Sequence, residues 1–85
     1  MSAAEEAARL RRIASENQDM VGMLVHAFDV LVGINAEVGE ALGAGHSELE
    51  NAQGPIQQAA INLGNVRDEL AGALNNLNDI ANRIG

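Results

Sequence analysis

Residues 49–84 read LENAQGPIQQAAINLGNVRDELAGALNNLNDIANRI, and their spacing decides the fold. Leu49, Ile56, Leu63, Leu70, Leu77 and Ile84 recur at every seventh position, and Ala52, Ala59, Val66, Ala73 and Ile80 follow the first five of them by three. Apolar residues at such intervals line one stripe of an α-helix, the a and d seam of a coiled coil. A half-buried strand would alternate at every second residue, and this segment does not.

The amino-terminal half carries the same rhythm. Leu10, Asn17, Leu24, Leu31 and Val38 take the a positions, and Ile13, Met20, Ala27, Ile34 and Ala41 take the d positions. The two phases fail to join across Gly43-Ala44-Gly45-His46-Ser47. Glycine ends a helix by adopting positive φ without a steric penalty. Ser47 followed by Glu50 fits a capping box that starts a new helix. The spacing predicts a single domain over 1–85: a helix at about 3–42, a turn at 43–46 and a helix at about 47–84. At a rise of 1.5 Å per residue each arm is about 55–60 Å long. A short connection makes the arms antiparallel. The expected fold is all-α, an antiparallel two-helix hairpin with coiled-coil packing, completed to a four-helix bundle by oligomerisation.

Three features strain that reading. Gly54-Pro55 falls within the second helix, where proline removes a donor and clashes one turn back. The stripe passes Leu49, Ala52 and Ile56 without a slip, which favours a kinked continuation over a helix starting at Pro55. Gly22, Gly33, Gly39, Gly64 and Gly72 interrupt the helices, and tight backbone contact would offset their low helix propensity. Asn17 occupies a seam position, where a buried amide would set register, or it marks a polar, frayed start.

Met20 to Ile34 is apolar on more than one face. Beside its seam residues it carries Val21, Met23, Val25, Phe28, Val30 and Val32. A hairpin covers one stripe of each helix, so the remaining faces would form an exposed apolar patch of the kind that marks an interaction surface. The residues assigned to that interface are Met20, Met23, Leu24, Phe28, Leu31, Ile34, Leu63, Leu70 and Leu77. The expected partner is protein, with a homodimer as the simplest case and a heterodimer next.

Composition narrows the function classes. The chain has 85 residues, no Cys, Trp or Tyr, and Phe28 as its only aromatic residue. Without cysteine there is neither a disulfide nor a thiolate metal site. Net charge is −7, and no Lys or Arg lies between Arg12 and Arg67. Such a surface repels phosphate, which argues against nucleic acid and anionic membranes as partners. Met20–Ile34 falls short of the roughly 20 apolar residues of a membrane span. Glu5, Glu6, Glu16 and Asp19 spoil the basic region that a signal peptide would need. The expected location is cytoplasmic, or secreted without a cleaved signal peptide.

Candidate chemistry is sparse. His26 and Asp29 share a helical face at a spacing of three, but two ligands are not a metal site. His46, Ser47, Glu48 and Glu50 cluster at the turn and fit a capped helix start more simply than an acid–base pair. Gly43-Ala44-Gly45 lacks the strand–glycine–helix order of a nucleotide site. Asn62, Asn65, Asn75, Asn76, Asn78 and Asn82, with Gln57 and Gln58, give the second helix a polar outer surface. No catalytic residue, cofactor or metal is expected.

A cysteine-free, acidic, Ala-rich hairpin of near-equal helices around Leu42-Gly43-Ala44-Gly45 resembles the small WXG-type proteins of type VII secretion. It also resembles small Ala-rich hairpin families of actinobacteria. The turn Trp and tyrosine-based export signal of the WXG type have no counterpart here. The resemblance implies a homo- or heterodimeric four-helix bundle acting as a secreted partner or targeting chaperone. The functional expectation is a non-enzymatic, helix-mediated protein–protein interaction module, either a dimeric adaptor or a secretion-associated partner. The alternative is a structural coiled-coil component of a phage or injection-type assembly.

Overall fold

The computed structural model describes residues 1–85. It is all-α, with α1 at Ala3–Glu16, α2 at Gln18–Leu42 and α3 at Leu49–Ile84. α1 and α2 form one arm bent at Asn17, and α3 returns alongside both. The result is a rod of 63 × 15 × 14 Å.

Local chemistry explains most element ends. The Ser2 hydroxyl accepts a hydrogen bond from the Glu5 N–H (3.1 Å), and Glu5 and Glu6 lie in the first turn, where carboxylates favour the helix dipole. α2 ends at Gly43, whose φ of 83° is open to a residue without Cβ, and Gly45 repeats this at 84°. The expected Ser47 capping box does not form. Instead α3 begins one residue later behind Glu48, with no side-chain cap. The imidazole Nδ1 of His46 accepts the Glu48 N–H (3.0 Å), while Asn51 donates to the Glu48 carboxylate (2.9 Å). These bonds engage His46 and Glu48, two of the residues clustered at the turn. α3 runs through Pro55 without a break, and Pro55 is exposed.

The first arm was expected to be one helix, and Asn17 divides it. Its side-chain amide donates to the Ile13 carbonyl at 2.7 Å, beside the backbone N–H that reaches the same oxygen at 3.2 Å. An amide that bonds its own backbone competes with the helical ladder. Asn17 is exposed, so it is not a buried register residue.

The seam between the arms corrects the expected phase. Leu10, Leu24, Leu31 and Val38 are half-buried, as are Leu49, Ile56, Leu63, Leu70 and Leu77. The strips that turn furthest inward beside them are not the expected d positions, of which only Ala27, Ala52, Ala59 and Ile80 are half-buried. On the first arm Ala7, Ala14, Val21, Phe28, Asn35 and Leu42 turn inward; on α3 Gln53, Ala60, Arg67, Leu74 and Ala81 do. Val21 and Phe28 therefore belong to the seam and not to a spare face. Ile13, Met20, Ile34, Val66 and Ala73 lie outside it.

Small residues set the spacing of the arms. The buried residues are Ala7, Ala14, Ala60, Leu74 and Ala81. A Cβ on Gly39 would stand 2.9 Å from Gln53 Nε2, the far end of a flexible side chain, so a larger residue there would displace that amide. Gly22, Gly33, Gly64 and Gly72 meet nothing within 4 Å, so tight contact does not explain them. Gln53 donates across the seam to the Asn35 carbonyl (3.1 Å), and Arg11 donates to Asn82 Oδ1 (3.1 Å). The first of these bonds bridges the arms near the turn and the second bridges them near the termini. The ion pairs Arg12–Glu16 and Arg67–Asp68 lie within single arms and do not join them.

Leu74 and Ala81 should respond in opposite ways to a change of volume. Leu74→Ala should lose roughly 2–5 kcal/mol by leaving a cavity. Ala81→Leu should lose about 1–3 kcal/mol by forcing the arms apart. Urea denaturation followed by far-UV circular dichroism measures both, and an unchanged midpoint for either would contradict this seam.

Candidate functional site

The candidate site is a broad apolar face left outside the seam. Two contacts identify the sides of the rod. Arg11 and Asn82 meet on one side. On the other, Leu10, Ile13 and Ile84 line a shallow groove with Met1, Glu6 and Arg9. Residues seven apart on a helix packed along a seam keep the same side. From Ile13 these steps reach Met20, Ala27, Ile34 and Ala41; Ile80, one turn before Ile84, leads back through Ala73, Val66, Ala59 and Ala52. These ten residues are the d positions of both arms, and the geometry brings them together on the groove's side of the rod.

The face is apolar along both stripes. None of the ten residues is charged or polar. Met20 is 51% exposed and Ile34 41%. Met23 and Val30 extend the patch outward on α2, and both are exposed. Apolar area of this extent is unusual on a soluble monomer unless it serves as an interaction surface. The carboxylates of Glu16, Glu37 and Glu69 follow the rim.

Nine residues were assigned to the interface from sequence. Leu24, Phe28, Leu31, Leu63, Leu70 and Leu77 are half-buried in the contact between the arms. Met20, Met23 and Ile34 lie on the outer face. Ile13, Val66 and Ala73 were missed as exposed residues, while Ala52, Ala59 and Ile80 are half-buried along the same stripe. Their heptad spacing marked them, but it was read as belonging to the inner seam.

Polar chemistry does not converge at this face. No group of three His, Asp or Glu is placed to hold a metal ion. His26 and Asp29 are exposed on the outer side of α2. Gln57, Gln58 and all the carboxy-terminal asparagines except Asn78 are exposed, with Gln58 donating to Asn62 at 3.1 Å. The apolar character of the first arm is greater than its residue run suggested. Ala3–Leu42 contains a window long and apolar enough to cross a membrane by length and composition.

No family model, curated protein or solved structure matches the chain.

The three methionines report on whether this face is covered. Met1 and Met23 are 71% and 69% exposed, so they and Met20 are open to peroxide in an isolated hairpin. With rising chain concentration, sulfoxide formation at Met20 should slow relative to a free methionine peptide added as internal standard, as read by peptide mass spectrometry. Equal relative rates at every concentration would show that the face stays bare.

Proposed function

We propose that the protein is a non-enzymatic association module, an adaptor that works by packing its outer apolar face against other helices. The observation that carries this reading is the double stripe of uncharged side chains from Ile13 to Ala41 and from Ala52 to Ile80. Burying apolar surface is worth roughly 25 cal/mol per Å², and this rod leaves much of its own unburied. The internal core is correspondingly thin, with one large side chain, Leu74, among the five buried residues. Small domains of this kind reach useful stability through oligomerisation when they lack disulfides or metals.

A second reading rests on the apolar window of the first arm. In that reading the face lies against lipid. His26 and Asp29 on the outer side of α2, with Glu16 and Glu37 at the rim, set charged or titratable groups around that window. Flotation with neutral and anionic vesicles separates the readings, because an association module stays unbound to both. A structural component of a larger assembly would instead grow into rings or filaments, since head-to-tail contacts do not close on two copies.

Two variants test the association reading. Met20→Glu with Ile34→Glu places charges in the face without touching the seam. It should abolish concentration-dependent association, measured by light scattering after size exclusion, and lower the melting temperature. Val25→Glu is the control, at 39% exposed on the opposite side of α2, and should leave association intact. A cooperatively melting monomer at micromolar concentration, indifferent to both changes, would refute the module.

A further inference from the structure

We infer that the hairpin holds two seams and exchanges between them. Each arm turns by roughly 50° about its own axis, half the angle of about 100° between neighbouring helical residues, and the outer stripe becomes the enclosed one. The exchange requires no partner, so it stands or falls apart from the association reading above.

The two seams share one centre line. Leu24, Leu31, Leu63 and Leu70 are half-buried now and stay at the contact in either arrangement. A residue three positions on lies about 60° to one side of that line, and a residue four positions on lies about 40° to the other. A small turn therefore trades one flank for the other. Ala27, Ala52, Ala59 and Ile80 already lie half-buried at the edge of the contact. Both outer stripes lie on the groove's side of the rod, so the arms would turn in opposite senses, as meshed gears do.

The side chains set the two arrangements against each other. The strips now turned inward carry Asn35, Gln53 and Arg67. The Asn35 Oδ1 is enclosed and meets no donor of the chain, and an enclosed acceptor without a donor opposes its own burial. The outer stripes carry no polar residue. Turning them in would return the three polar side chains to water. It would also enclose Ile13, Met20, Ile34 and Val66, which are 41–51% exposed. Against this, Phe28 and Leu74 would leave the contact. Packed interfaces with two such competing fillings move between discrete states and do not deform gradually.

The joints permit the motion. Gly43 and Gly45 carry positive φ at the turn, and α3 starts without a side-chain cap. Two side-chain hydrogen bonds cross between the arms, Arg11 to Asn82 and Gln53 to the Asn35 carbonyl, and neither ion pair joins them. Little polar bonding has to break.

The chain has no cysteine, so a single thiol reports its own burial. Ala60 is buried within α3, well inside both ends of that helix. In Ala60→Cys, rotation bares the side chain while the helical backbone bonds stay closed. Protection of the thiol against a maleimide reagent should therefore be at least about tenfold weaker than protection of the same residue's amide against hydrogen exchange. Val66→Asn or Ile34→Asn, added singly, alters only the surface of the present arrangement but places a polar group in the core of the other. Each should slow labelling by at least about fivefold, and equally at every chain concentration. Equal thiol and amide protection would overturn the exchange, as would labelling that ignores both added substitutions. Slowing that varies with chain concentration would overturn it too, by assigning the effect to association between chains.

Discussion

Two helices in contact can enclose only one of the two strips that flank a heptad stripe. That constraint governs this molecule. On each arm a row of Leu, Ile and Val forms the centre line, with a strip on either side of it. The arms draw in the strip richer in alanine on α1 more fully than the other, most of which stays in solvent. The enclosed set, with Ala7, Ala14, Ala60 and Ala81, lets the backbones come close. The other set leaves Ile13, Met20, Ile34 and Val66 exposed, with Ala27, Ala52, Ala59 and Ile80 half-buried at its inner edge.

Much of the architecture was legible in the sequence. The seventh-residue rows gave two helices and their centre lines, and the glycines at 43 and 45 gave the reversal. The flanking strip was misread because it was chosen by apolarity. Ala52, Ala59, Val66, Ala73 and Ile80 look more like a core than Gln53, Ala60, Arg67, Leu74 and Ala81. Two facts outside a hydropathy count decide against that. Gln53 finds the Asn35 carbonyl across the seam, and Arg67 keeps its guanidinium beside Asp68 while its stem packs inward. Long polar side chains can line an interface while their heads reach polar partners.

The misreading bears on the candidate site. A strip taken for interior has six of its ten residues exposed, and the surface therefore carries more ordered apolar pattern than a count of loose valines and methionines implied. Ser47 and Asn17 show the other limit of sequence reading. Both sit in familiar local patterns. At the turn His46 and Asn51 meet the hydrogen-bonding needs of Glu48, while at Asn17 the side chain turns back on Ile13. Competition among short-range polar contacts is settled by distances that spacing does not encode.

The interruption at Asn17 also partitions cooperativity. A helix of the 14 residues of α1 is marginal in water by itself, because nucleation is unfavourable and few bonds follow it. α1 keeps its shape by lying on the last turns of α3, through Ala7, Ala14 and Ala81, with Arg11 as a latch on Asn82. Lifting α1 therefore melts it and also strips the end of α3 of its cover, while α2 and the turn stay paired. The rod frays from its termini as one zipper-like segment, and local opening, proteolytic nicking and amide exchange concentrate there.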